Sequence, residues 1–327
     1  MFLRLVIVGL IALLAGFGAG FFASKSAKGE GSLNSGCPER YKYINDFLDC
    51  EPIQILKKTE YTQLAYELEE YIEQEKKKGN LSHVSVYFRD LVGGPTFGID
   101  SDETFVPASL LKVPMMVTYF SLAEKKPDIL LTKTSYSSVT NSVTQTITNS
   151  VLIQKDTPYS VDELIRRMIV NSDNLAYGLL DKHLERLYPG KNIYMSILKE
   201  LGLVNPRSPS ESTFTVKTYS SLFRQLFNGS YLSFENSDKA LSLLAQTKFK
   251  NGLPEGVPQS IEVAHKFGER EILEVNEKQF HDCGIIYYPG NPYLLCVMTR
   301  GKDMEALVKT ISEISGMVYK EVDSRKL

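Results

Sequence analysis

Val106-Pro107-Ala108-Ser109-Leu110-Leu111-Lys112 puts a serine at the head of an apolar helical run, with a lysine one turn on along the same face. A helix N-terminus carries the positive end of the backbone dipole, so the hydroxyl sits in a favourable field with an amine within reach. A serine needs a base before it can attack a carbonyl. If the surroundings desolvate Lys112 or set another cation beside it, its pKa falls and it can accept that proton. The spacing alone is weak evidence, because Ser196-Ile197-Leu198-Lys199 repeats it in an ordinary amphipathic helix.

Two further stretches lie downstream. Ser172-Asp173-Asn174 falls between a helix ending near Val170 and one beginning near Leu175, a junction that can point two side chains into a cleft. The plainer reading is that Ser172 or Asp173 caps the second helix. Val263-Ala264-His265-Lys266-Phe267-Gly268-Glu269 reads as a strand displaying Lys266, with Gly268 permitting close backbone approach. A lysine guarding an edge strand is the alternative.

Around these stretches the hydrophobic periodicity sets the fold class. Leu64, Leu68, Tyr71 and Ile72 recur at helical spacing within 60–78, and 83–88 with 96–99 forms a hairpin turning at Gly93-Gly94. From 109 to 246 the chain reads mainly as helices, including 161–169, 174–187 and 218–227, with a polar Ser/Thr-rich segment at 133–150. Strands return at 261–264, 284–288 and 293–299, and a last helix covers 304–319. The order implies an α+β fold in which one antiparallel sheet is assembled from both ends of the domain, 58–108 and 247–322. Helices flank the sheet, and an all-helical subdomain is inserted at 109–246.

Ser-x-x-Lys, then Ser-Asp-Asn, then Lys-x-Gly, in that order, resembles the signature of class A β-lactamases and penicillin-binding proteins. Asn171 to Ala176, Asn251 to Pro258 and the closing hairpin from Gly284 to Thr299 are similar to that family as well, so the resemblance spans about 60 to 320. It implies a serine hydrolase that opens a β-lactam or D-alanyl-peptide-like amide through an acyl-enzyme on Ser109. Lys112 would accept or relay the proton, Ser172 would pass it to the leaving nitrogen, and Lys266 would supply positive potential. Asn174 would hold a substrate amide, and the backbone amides of Ser109 and Glu269, beside Gly268, would form the oxyanion hole. No cofactor is implied.

The chain departs from the family in three places. The stretch Gly202 to Thr215, shorter than the corresponding loop, lacks the Glu and Asn that activate the deacylating water, and Glu211 is the one acid available as a substitute. Phe267 stands where a Thr or Ser holds the substrate carboxylate. The Phe280 to Gly284 strand lacks an Arg that helps hold it, for which Arg270 is a candidate replacement. These departures favour slow deacylation, as in a penicillin-binding D,D-peptidase, and they also allow a catalytically weak binding or sensing module. Chance agreement of the motifs would leave an anchored globular domain of other function. A His265, His281 and Asp282 triad is disfavoured, because His265 alternates away from Lys266 and the other two are adjacent on a strand.

The rest of the sequence bears on partners and location. A net charge of -2 over 327 residues, without a basic stripe, gives no reason to expect nucleic acid. Leu5 to Ala23 is uncharged, mostly apolar and long enough to cross a bilayer, so residues 1–24 read as a transmembrane anchor or a signal segment, either of which exports the remainder of the chain. The expectation is a domain on the extracytoplasmic side, anchored through residues 5–23, or secreted if the segment is cleaved. Residues 25–57 form a tether in which Cys37 and Cys50 are spaced to close a small disulfide loop. Cys283 and Cys296 sit on two neighbouring strands and read as buried small hydrophobes. No cysteine or histidine spacing resembles a metal site.

Overall fold

A computed structural model describes residues 42–44, 61–92, 94–136, 153–204 and 213–325. The apolar segment 5–23, the Cys37 and Cys50 pair and Glu211 lie outside them. Among the described residues no helix is long and apolar enough to cross a membrane.

Seven strands are present among the described residues: β1 (Leu81–Asp90), β2 (Thr96–Ile99), β3 (Lys133–Thr134), β4 (Tyr159–Ser160), β5 (Val263–Ile272), β6 (Glu277–Ile286) and β7 (Tyr293–Gly301). Five form one antiparallel sheet in the order β2-β1-β7-β6-β5, and β3 pairs with β4 in a two-residue ladder. The first hairpin of the domain is therefore held by its last strand. The helices are α1 (Thr62–Lys77), α2 (Lys112–Lys125), α3 (Val161–Val170), α4 (Asn174–Leu187), α5 (Ile193–Glu200), α6 (Val216–Phe227), α7 (Phe234–Ala245) and α8 (Met304–Ser324).

Strand alternation divides the interior in two. Along β7, Leu295 and Val297 join Val84, Val86 and Phe88 of β1 against Leu64 and Leu68 of α1 and Leu307, Ile311 and Ile314 of α8. Leu294, Cys296 and Met298 face the other way, onto Val113, Met116, Tyr119 and Phe223 of the inserted helices. Successive side chains of a strand point to opposite faces, so a central strand buried on both is apolar on both, as β7 is from Tyr293 to Met298.

The sequence places these elements correctly but ends several too soon. The β5–β6 hairpin runs on to Ile272 and Glu277, through a polar stretch whose alternation is poor. Cys283 and Cys296 are fully buried, as expected, but they are not separate small hydrophobes: they are register partners on β6 and β7, with Cα atoms 3.9 Å apart, and form a disulfide. Neighbouring strands alone did not reveal that pairing, which depends on register.

Candidate active site

Ser109 lies in a short 3-10 turn, Ala108–Leu111, that runs directly into α2. Ala108 has a φ of +48°, an uncommon conformation for a residue with a Cβ and one that turns the chain sharply before the serine. The turn packs against the outer edge of β5. A Cβ on Gly268 would stand 2.9 Å from the Pro107 carbonyl oxygen and 3.3 Å from the Leu110 nitrogen, so only glycine lets strand and turn approach this closely. The Thr247 hydroxyl donates to the carbonyl of His265, which marks residue 265 as facing the unpaired edge of β5. Antiparallel alternation then directs the main chain of Glu269 to the same edge, toward Ser109.

The segment leading into that turn is held residue by residue. Arg300 donates to the Thr104 carbonyl and pairs with Glu103. Phe105 exchanges two backbone hydrogen bonds with Phe214. Gln279 accepts from the Val106 N–H at 3.1 Å, and His281 Nε2 donates to the Val106 carbonyl at 3.0 Å. Tyr219 and Tyr194 donate to the carbonyls of Leu110 and Leu111, each at 2.9 Å. None of these supports was anticipated from sequence. The one available signal was the polar Gln279 and His281 at alternate positions of β6, hence on one face of the strand.

Those contacts fix the tautomer of His281 as the Nε2–H form, and its Nδ1 is buried without a partner among the described residues. Burial lowers its pKa from 6.5 to about 4, with hydrogen bonding to Val106 acting against the shift. The unfolded chain therefore takes up this proton before the folded one does, and stability falls as pH drops from 6.5 toward 4. For a group this buried the loss amounts to about 3 kcal/mol. The expected result is a urea midpoint that falls across this interval, with a smaller fall in His281→Gln, whose amide can still donate to Val106 but does not titrate.

The Ser-Asp-Asn junction does both things the sequence left open. Asp173 caps α4, its Oδ1 accepting from the N–H groups of Leu175 at 2.8 Å and Ala176 at 3.1 Å. Ser172 takes a φ of +56°, and it and Asn174 flank the cap and face Lys112. Lys112 Nζ lies 2.9 Å from Ser109 Oγ, 3.1 Å from Ser172 Oγ and 2.6 Å from Asn174 Oδ1, and it also donates to the Ser172 carbonyl. Lys266 Nζ donates to Ser172 Oγ at 2.9 Å and to the Phe267 carbonyl at 2.8 Å. The structure thus brings Ser109, Lys112, Ser172, Asn174 and Lys266 into one hydrogen-bonded cluster.

The cluster is layered by depth. Ser172 and Lys266 are fully buried and Lys112 is 3 % exposed, whereas Ser109, Asn174 and Glu269 are partly open to solvent. Burial lowers the pKa of Lys112 to about 7, with Asp173 and Glu269 pulling it partway back. Burial and then the charge of Lys112 hold Lys266 well below the ordinary lysine value. Both amines touch one hydroxyl, so two full positive charges there repel at short range and the pair titrates as a unit.

Four oxygens surround the Lys112 nitrogen, one more than an ammonium with three N–H donors or a neutral amine with two N–H donors and a lone pair can engage. A neutral amine offers a lone pair, so Ser109 can donate its proton to Lys112 while Lys266 serves Ser172.

Phe267 is buried, its ring packed on Phe249 with centroids 4.3 Å apart and Lys266 Nζ 4.0 Å from its centre. The position that would carry a hydroxyl is thus part of the core. Arg270 is exposed, on the Lys266 face of β5 but four residues along, about 13 Å from it. The structure does not bring it into the cluster. His265 and Asp282 bond to each other, 2.8 Å apart, with His265 Nε2 3.1 Å from the Phe249 carbonyl, whereas His281 binds Val106. No triad with Ser109 forms. Among the described residues no group of acidic, histidine or cysteine side chains could hold a metal.

Comparison with known proteins agrees with this fold. The sequence profile of the β-lactamase enzyme family matches residues 63–322. The fold is similar to that of PBP-A, at 22 % identity and a TM-score of 0.67 over 83 % of this chain and 100 % of that one. A PBP-A variant solved as an acyl-enzyme complex with penicillin G aligns with the same identity and TM-score over 82 % of this chain and 98 % of that one. A class A β-lactamase from Mycobacterium abscessus aligns at 19 % identity and a TM-score of 0.65, over 78 % and 99 % of the two chains. No curated protein sequence matches the chain.

Proposed function

The chain belongs to the β-lactamase enzyme family, and from that premise we propose that it is a serine hydrolase that opens a β-lactam or D-alanyl-peptide-like amide through an acyl-enzyme on Ser109. The observation that carries this reading is the amine of Lys112, 2.9 Å from Ser109 Oγ and with a pKa near 7. Ser109 Oγ attacks the amide carbon while its proton passes to Lys112. The N–H groups of Ser109 and Glu269 receive the developing oxyanion. The proton then moves from Lys112 through the Ser172 hydroxyl to the leaving nitrogen, and the C–N bond breaks. Lys266 keeps Ser172 oriented and makes the site positive, and Asn174 would hold a substrate amide.

Release of the acyl group needs an activated water. Among the described residues no carboxylate is hydrogen-bonded to Ser109, and Asp173 is engaged in capping α4. The stretch from Gly202 to Thr215 lacks the family's Glu and Asn, which favours slow deacylation, so a penicillin-binding D,D-peptidase or a sensor that acylates once is the second reading. The domain is further proposed to act on the extracytoplasmic side, anchored through residues 5–23, and recovery of the full chain in the soluble fraction of cells would oppose the anchor.

The test is intact-mass analysis of the full chain over time with a fluorescent penicillin. A lasting adduct that maps to the peptide containing Ser109 supports the peptidase or sensor reading. Hydrolysed drug with little adduct supports a β-lactamase. Neither adduct nor hydrolysis overturns a β-lactam as substrate.

A further inference from the structure

Far from the Ser109 cluster, a cavity of about 420 Å³ opens between β1 and α6. It backs onto β1, three strands from β5 and so about 14 Å away across the sheet. Three cations line it, Arg89 from β1 and Lys217 and Arg224 from α6, against one acid, Asp102. None of the three forms an ion pair among the described residues. Like charges gathered around a concavity repel one another and raise the local potential, a cost that an anionic ligand removes.

A second observation concerns the wall of the cavity. Ser220 lines it from the middle of α6, is 2 % exposed, and its hydroxyl has no hydrogen-bond partner among the described residues. A buried hydroxyl without a partner is uncommon in a native protein and costs roughly 1–3 kcal/mol when left so. Thr218 and Ser221 lie on the same wall, their hydroxyls donating to the carbonyls of Thr215 and Thr218. The N-terminal N–H groups of α6 are not the attraction, because Thr215 and Thr218 close a capping box there. Tyr87 and Leu294 add apolar surface.

We propose that this cavity is a binding site for an organic phosphate, its oxyanion held by Arg89, Lys217 and Arg224 with Ser220 donating, and its organic part resting on Tyr87 and Leu294. Guanidinium groups match phosphate oxygens with paired N–H donors, and two of the three cations are arginines. The volume exceeds the need of a bare phosphate and falls in the range of small-molecule sites. Nothing in this site is shared with the Ser109 cluster, so it stands whether or not the proposed reaction does.

The test is calorimetric titration of the full chain with phenyl phosphate and, separately, with inorganic phosphate at constant ionic strength. Phenyl phosphate is expected to bind at least threefold more tightly than inorganic phosphate and to weaken with added salt. Arg89→Ala combined with Arg224→Ala should lower its affinity at least tenfold, and Ser220→Ala a few-fold, while Lys320→Ala, a charge removed from the exposed face of α8, should change nothing. If the double arginine variant does not fold, Lys217→Ala, a change at an exposed position, takes its place. Absence of binding, binding indifferent to these substitutions, or equal loss in Lys320→Ala would overturn the proposal.

Discussion

Ser109→Ala is expected to abolish covalent labelling by penicillin and, at the same time, to raise the pKa of Lys112. The first effect is the loss of the nucleophile that the lysine activates. The second rests on hydrogen counting. With Ser109 gone, three acceptors remain around Lys112 Nζ, the Ser172 carbonyl, Ser172 Oγ and Asn174 Oδ1. Three acceptors match the three N–H bonds of an ammonium, and the group placed to give the amine a proton has been deleted. The lysine should therefore titrate above its present value of about 7. A carbon-13 NMR titration of labelled lysine side chains measures this, and an unchanged pKa would mean that Ser109 does not donate to Lys112.

Lys112→Met should slow acylation by about 10²–10⁴, the usual worth of a positioned proton acceptor. Methionine keeps an unbranched side chain of similar length in a buried position, so the loss should come from chemistry more than from packing. The pH profile separates the two. In the unaltered chain only the neutral amine can take the serine proton, so the second-order rate of labelling rises with pH through about 7 and then levels. At pH 5 it should be about 100-fold below its plateau. In Lys112→Met the rising limb should vanish, leaving a slow rate nearly independent of pH. A variant that labels within tenfold of the original at pH 7 would show that the proton goes elsewhere.

Whether a feature was legible in the amino-acid sequence depended on how local its chemistry is. Helix and strand periodicity is local, so the alternation at 83–88 in β1 and the helical spacing of Leu64 and Leu68 were plain. The cluster residues were legible because their types and order are distinctive, and because Gly268 and the Asp173 cap are read from local chemistry. The supports of the nucleophile turn were not. Tyr219, Tyr194, Gln279 and His281 act on carbonyls and amides far along the chain, and a hydrogen bond to backbone leaves no pattern in the partner's sequence. The disulfide was missed for the same reason, since pairing Cys283 with Cys296 requires the register of two strands. Arg270 is near Lys266 in number, but it lies on a part of β5 that has run past the cluster.

The way the sheet closes has a consequence for how the molecule is made. Val84 of β1 is the register partner of Thr299 of β7, and between them lies the whole inserted helical part. A chain emerging N-terminus first completes its β1–β2 hairpin long before the strand that must cover it has been synthesised. A two-stranded hairpin is marginal by itself in water, and its open edge can pair with another chain. Loop closure over such a span costs entropy that only the finished contacts offset, so assembly should be slow and dominated by the arrival of the C-terminal segment. Truncations that spare every residue of the Ser109 cluster but remove β7 should therefore yield aggregated chains rather than weakened enzymes.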